Sequence, residues 1–456
     1  MRSPSFFGGG LNMNENKMGT MEIKKLIITM SIPIVISMLV QALYNIVDSM
    51  FVARISPEAL SAVSLCYPVQ MIIIAVACGT GVGINAWLSR YLGQKKKDQA
   101  SQVALHGLLL ALLNGLIFAI LGIFFSKIFL RIFTDSTSIL SLGNSYLKIC
   151  MIFSFGVFVQ IMFERIMQAT GNPFYNMVIQ GLGALTNIIL DPIFIFGLFG
   201  MPAMGVKGAA IATVIGQMFA MILGIYITKK YIRDIDLNIS KFQWNTILVK
   251  DIYRLAFPAI LMQSIMSFMT VFMNLILAGV SVLAVSVFGI YFKLQQFVIM
   301  GLLGMSNALI PIISFNYGAR KQERIHQAIR FSLIVTIFMM LLGTIVFQAI
   351  PGTLLALFDA DSSMIQMGIP ALKTISLSFI PCGISLILCS CFQAVDHPYE
   401  SLVITLLRQL ILLIPMAYVF TQLGGLELCW YAFLITELIT MVLSLFFLKK
   451  IKKIIG

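Results

Sequence analysis

The sequence predicts an all-α polytopic membrane protein. Its twelve transmembrane helices should form two six-helix lobes related by a pseudo-two-fold along the membrane normal. Three observations lead there. Apolar runs of about twenty residues or more recur along nearly the whole chain. Charged residues make up only 11% of it, against about 25% in a soluble domain. The second half, finally, repeats the first.

Twelve hydrophobic segments run at about 27–54, 59–84, 100–126, 137–163, 173–199, 206–229, 251–279, 283–312, 327–350, 362–394, 399–422 and 427–448. The longest polar connection runs from Lys230 to Lys250. It divides the chain into a polar tail (1–22), an N-lobe (23–230), a linker (231–250) and a C-lobe (251–456) with a short basic end. The tail is Gly-rich and has no apolar core before a cleavage site, so it is not a secretory signal. Met13, Met18 and Met21 leave room for a later start.

Sliding the chain against itself by 225 residues exposes the repeat. Pro33 meets Pro258, Ala53 meets Ala278, Gln70 meets Gln295, and Gly79 meets Gly304. The basic loop from Gly93 to Asp98 meets that from Gly318 to Glu323, and Gln168, Ala169 and Pro173 meet Gln393, Ala394 and Pro398. After a five-residue shortening, Gly205 meets Gly425 and Lys229-Lys230 meets Lys449-Lys450. An even number of spans per copy gives both copies one orientation. That places the axis along the membrane normal, with a cavity between the lobes, an arrangement suited to alternating access.

The net charge of +13 would suit nucleic acid, but the cations are placed otherwise. Of the 31 Lys and Arg, 22 fall in the tail, the second, sixth and eighth loops and the C-terminal end, which share one side of the predicted topology. The positive-inside bias therefore predicts a multi-pass cell-membrane protein with both termini cytoplasmic, and no nucleic-acid partner. Three His and seven Cys form no metal-binding spacing, and the thiols read as buried small hydrophobes. With no phosphate-binding Gly-rich loop ending in Gly-Lys-Ser/Thr, the chain is not expected to hydrolyse ATP. Gly79-Thr-Gly-Val-Gly83 reads as close helix packing. No surface cluster of His, Asp or Ser suggests an enzyme.

A carboxylate in hydrocarbon costs several kcal/mol and is a functional hypothesis by default. Asp48 is one. On a helix, Ser37, Gln41, Tyr44, Asn45 and Asp48 lie within about 100° of one another, so Asp48 ends a polar stripe. Asn176, Gln180, Asn187 and Asp191 share a second face spanning about 60°. Thr213 and Gln217 repeat the four-residue spacing one segment later. In the repeat, Asp48 corresponds to Met273, Asn187 to Leu412, Asp191 to Met416 and Thr213 to Phe433, which favours a site over a scaffold role. Two carboxylates, an amide and a hydroxyl suit a hard cation such as Na⁺. The same two carboxylates, close together, could instead exchange protons.

Other intramembrane charges are less telling. Glu164 and Arg165 are adjacent, cannot face each other on a helix, and are expected to snorkel near a span end. Glu437 is the only acid deep in a C-lobe span, at the position of Gln217, and is a candidate for substrate or proton contact. Lys293 and Arg408 are expected to pair internally. The 28 Met and 35 Phe fit packing first and an adaptable binding wall second.

Several stretches resemble the multidrug and toxic compound extrusion (MATE) family, over essentially the whole chain after the tail. They are Pro33 with QALYNIVDSMFV, GTGVGINAWLSRYLGQ (Gly79–Gln94), QATGNPFYN (Gln168–Asn176), LTNIILDPIFIFG (Leu185–Gly197), GVKGAAIAT (Gly205–Thr213) and YFKLQQF (Tyr291–Phe297). They look like its DinF/MepA-like branch. The resemblance implies an antiporter, with no bound cofactor and no ATPase subunit, that expels cationic or amphipathic compounds by using Na⁺ or H⁺ entry. It implies a cation site on Asp48, Asn187, Asp191 and Thr213, and a first-helix bend at Pro33. Other branches carry a C-lobe carboxylate on the seventh or tenth helix, and this chain has none at those helix centres. A lipid-linked saccharide or lipid flippase of the same broad superfamily is the alternative.

Overall fold

The computed structural model describes residues 16–358 and 360–455, and among them every regular element is helical. Among the described residues, nine helices are long and apolar enough to cross a membrane. Two further crossings are bent pairs, Thr137–Ile152 with Phe155–Ala169 and Ser362–Ser376 with Phe379–Ala394, each turning by 47°. The last apolar run, Pro398–Ile451, is 54 residues, far longer than the ~30 Å hydrocarbon core requires. It breaks at Gly424 and Gly425, whose backbone leaves the helical region (φ −146° and +65°). Counting that run as two crossings brings the total to twelve.

The first six spans are Ile23–Ala53, Pro57–Gly93, Lys97–Arg131, the first bent pair, Pro173–Phe196 and Val206–Tyr231. Thr246–Ala278, Val282–Gly318, Gln322–Ala349, the second bent pair and the broken pair make the other six. The seventh begins at Thr246, five residues before the apolar pattern does, because Asn245 caps it by accepting from the amides of Ile247 and Leu248. Polar cap chemistry is invisible to a hydropathy reading. The fourth and tenth segments were expected to be unbroken. Their breaks fall at Ser154, whose hydroxyl donates to the Gly115 carbonyl, and at Ser378, whose hydroxyl donates to the Ile375 carbonyl. The Ser378 bond, made within its own turn, competes with the helix ladder. The first span runs as one unbroken helix through Pro33, and the Ser37 hydroxyl takes up the Pro33 carbonyl at 2.9 Å.

The internal repeat governs the seam between the lobes. A Cβ on Gly79 would meet the backbone of Ile260, and one on Gly304 would meet that of Val35, the same pair displaced by 225 in each direction. Gly93 likewise lies on the Phe315 carbonyl, and Gly318 on the Arg90 carbonyl. Within the lobes the repeat also holds: the Ser89 hydroxyl donates to the Ala169 carbonyl at 3.1 Å, and Ser314 to that of Ala394 at 2.9 Å. The glycine contacts across the seam, each occurring twice with roles exchanged, are the signature of a two-fold relation. Loop backbones repeat as well: Lys95 and Arg320 share positive φ, as do Gly171 and Asp396.

All these seam contacts fall in the span halves nearest the basic loops. There the seam is reinforced twice. Buried Arg90 lies 4.5 Å from the Trp87 ring centre and 5.0 Å from that of Tyr317, and reaches Asp396 of the other lobe at 3.9 Å. At the place related to Asp396 by the repeat, Gly171, the chain instead lays down a helical turn, Lys17–Thr20. Asn16 donates to the Thr170 carbonyl and to Asp234. From the C-lobe, Arg324 donates to the carbonyls of Met18 and Met21, Asn316 to Met18 and Lys321 to Gly19. This strap ties both lobes together, with Met18 wholly buried between them.

Candidate functional site

Small residues bring the fifth and sixth spans close enough to form a site. A Cβ at Gly216 would lie 2.9 Å from the Gly183 carbonyl oxygen and 3.2 Å from Cβ of Asn187. Backbones that approach this closely are the usual product of small-residue interfaces in membranes. The approach sets Asn187 against Thr213. The Asn187 amide donates to Asp191 Oδ1 at 3.3 Å, one helical turn away, and to Thr213 Oγ1 at 3.4 Å across the helix pair. From the first span, the Asp48 carboxyl group lies within hydrogen-bonding reach of that of Asp191. The four residues singled out by spacing therefore converge.

The cluster is rich in unused acceptors. Asp48 Oδ1, Asn187 Oδ1 and Asp191 Oδ2 are buried oxygens with no hydrogen-bond partner. Asp191 is fully buried and Asn187 nearly so. Two carboxylates with one amide donor between them leave negative charge uncompensated, an arrangement that calls for a cation or shared protons. Among the described residues no group of three or more His, Cys, Asp or Glu gathers.

Two chambers flank the cluster. The smaller, of about 140 Å³, is lined by Asp48, Asn45, Tyr44, Gln41, Thr213 and Gln217, and no Lys or Arg lines it. The larger, of about 320 Å³, reaches toward the basic-loop side. Its walls include Asn187, Gln180, Asn176, Gln160, Glu164 and Arg165 from the N-lobe, and Gln263, Leu303 and Asn307 from the C-lobe. Gln41, Tyr44, Thr213 and Gln217 face both. Between the first and fifth spans, Gln180 donates to Gln41 at 3.1 Å.

Glu437, expected near substrate, lines neither chamber. It lies in the C-lobe, where Arg408 Nε donates to its Oε1 at 2.6 Å and the same guanidinium reaches Cys382 Sγ at 3.1 Å. Arg408 sits on a π-helical turn, Leu407–Ile411, which re-aims it inward. Lys293 lies 5.8 Å from the Phe358 ring centre. Glu164 and Arg165 do not snorkel. Glu164 is buried in the larger chamber, and Arg165 crosses the seam to donate to Asn307 at 3.1 Å. Gly81 makes room for that crossing, since a Cβ there would lie 2.6 Å from Arg165 Cγ. Of the seven cysteines six are buried, as expected of apolar packing.

A duplicated bundle of twelve spans, sealed at one end and enclosing polar chambers beside buried acids, has the architecture of a membrane transporter. The MatE family model matches residues 33–193 and 258–419, two stretches whose starts differ by the 225-residue repeat. The chain belongs to the MATE family of transporters. Among its relatives are a FAD transporter of Shewanella oneidensis, 29% identical over 91% of this chain and 92% of that one. Another is the multidrug export protein MepA of Staphylococcus aureus, 28% identical over 89% of each. Solved structures include the outward-facing conformation of a multidrug resistance MATE family transporter, with 26% identity, TM-score 0.90, and 98% and 99% of the two chains covered. A transporter from Pyrococcus furiosus, described as having a binding pocket of reversed polarity, matches with TM-score 0.89 at 26% identity and the same coverage.

Proposed function

We propose that the chain is an antiporter of the cell membrane that exports cationic or amphipathic compounds by alternating access, driven by Na⁺ or H⁺ entry. The observation that carries this reading is the set of unpartnered oxygens on Asp48, Asn187 and Asp191 beside the chambers. With the basic loops and both termini cytoplasmic, the sealed seam closes the cytoplasmic side, and the chambers belong to an outward-facing state. An external cation then enters the Asp48–Asp191 cluster with Asn187 and Thr213, while Gln41, Tyr44, Asn45, Gln180 and Gln217 line the substrate path. Because Tyr44, Thr213 and Gln217 face both chambers, filling one reshapes the wall of the other. Coupling requires that the ion bind one lobe arrangement more tightly than the other. The gradient supplies the energy, so no ATPase subunit or resident cofactor is required.

The test is uptake of a fluorescent organic cation into proteoliposomes under imposed Na⁺ or pH gradients. Asp48→Asn and Asp191→Asn should each abolish the gradient response. Unchanged rates in both would remove the cluster from the mechanism. A second reading, transport of an anionic flavin dinucleotide as the name of the Shewanella relative indicates for that protein, is favoured by one observation, the Arg165 guanidinium in the larger chamber. A flippase for lipid-linked pyrophosphate would need a wide cationic cavity, and this chamber holds a single Arg beside Glu164.

A further inference from the structure

Glu164 is a buried acid that the ion cluster leaves unused. It lies on the second half of the bent fourth span, on the wall of the larger chamber, with 8% of its surface exposed. Its one hydrogen bond comes from a neutral donor, Gln160 Nε2, at 3.0 Å. The adjacent Arg165 points elsewhere, its guanidinium held by Gln168 at 3.0 Å and by Asn307 at 3.1 Å. Successive helical side chains diverge by about 100°, so Arg165 cannot turn back without giving up both bonds. On the same chamber wall, Gln160 Oε1 and Asn176 Oδ1 are buried acceptors with no partner, and their residues are 9% and 2% exposed. A buried carboxylate flanked by unsatisfied oxygens, in a chamber large enough for a small organic molecule, lacks only its cation.

We propose that Glu164, with Gln160 and Asn176, forms a subsite for the positively charged group of a transported organic cation, separate from the Asp48–Asp191 cluster. This rests on the antiport reading and assigns its substrate and its ion to different acids. Asp48 lines the smaller chamber, while Glu164 and Asn187 line the larger; the wall of Gln41, Tyr44, Thr213 and Gln217 joins the two, so ion and substrate can be present together during exchange. The apolar part of the substrate meets Ile34, Met38, Ile74 and Leu303.

The experiment measures equilibrium binding of tetraphenylphosphonium, of its uncharged relative triphenylphosphine oxide, and of flavin adenine dinucleotide to the full chain in nanodiscs. Glu164→Gln keeps the shape and removes the charge. It should weaken phosphonium binding by about 10- to 100-fold, the worth of one charge-assisted contact, and change oxide binding by less than about threefold. Glu164→Asp, which keeps the charge, should recover most of the loss and guards against misfolding of the first variant. Equal weakening of both probes, or of neither, overturns the subsite while leaving antiport intact. A wild-type chain that binds the dinucleotide and not the phosphonium overturns the antiport of cations and the subsite together.

Discussion

Substituting alanine for Gly93 strikes the seam at a place where no side chain can yield. The added methyl would fall on the Phe315 carbonyl oxygen and lie 2.9 Å from its carbon and 3.0 Å from the Ala319 nitrogen. Backbone atoms stand at all three points, so relief requires the lobes to separate by about 1 Å. Overpacking of this kind costs about 1–3 kcal/mol. Carried by the sealed arrangement alone, it shifts the balance between sealed and open lobes about 5- to 150-fold toward opening. Alanine favours helix over glycine, so local unwinding is not the expected response. The reciprocal position makes the prediction stringent: Gly318→Ala meets the Arg90 carbonyl in the same way and should produce the same shift. Pulsed electron–electron distance measurements between spin labels on the 94–97 and 319–322 loops would read it, and six buried native cysteines leave little background labelling. Wild-type distances in both variants, or a large difference between the two, would refute the reciprocal close packing.

The strap yields a related expectation. Arg324→Ala removes three hydrogen bonds, to Asn316 and to the carbonyls of Met18 and Met21, from a half-buried site. At about 0.5–1 kcal/mol each, the sealed state should lose about 1.5–3 kcal/mol, visible as faster exchange or proteolysis of residues 16–22. A chain whose tail stays as protected as wild type would show that the strap does not depend on it. In the C-lobe, Arg408→Met should lower thermal stability by about 3–5 kcal/mol because it strands Glu437, whereas Arg408→Met with Glu437→Leu should restore most of it. Equal loss in the single and double variants would contradict an ion pair isolated in the lobe. For the cluster, Thr213→Val keeps the shape and deletes one oxygen. It should weaken the ion response about tenfold without abolishing it, as measured by half-saturating Na⁺ or by the shift of the pH midpoint of transport.

The repeat register legible in the sequence proved to be the contact map of the seam, because a duplicated chain with one orientation must meet itself about a two-fold. The convergence of Asp48, Asn187, Asp191 and Thr213 was legible because helical spacing sets them on shared faces, where the repeat carries the apolar counterparts Met273, Leu412, Met416 and Phe433. Glu164 was not. Adjacent opposite charges near a span end look like snorkelling, and only the seam, with Gly81 vacant beside it, sends Arg165 one way and leaves Glu164 the other. The Arg408–Glu437 pair was half visible, since the π-helical turn that carries Arg408 has no apolar periodicity to announce it. The strap was hidden for a different reason: five of its anchoring bonds are accepted by backbone carbonyls, and carbonyls carry no sequence signal.

That last property bears on how the protein is handled in the laboratory. A purification tag or fluorescent reporter joined just ahead of Asn16 would be tethered at the seam itself, pulling on the turn that bridges both lobes. A fusion beyond Ile455 would hang from the end of the last helix, clear of the strap. Lobe motion measured on a chain shortened to Asn16 and tagged there should therefore differ from that of the full chain, which is the proper reference for it.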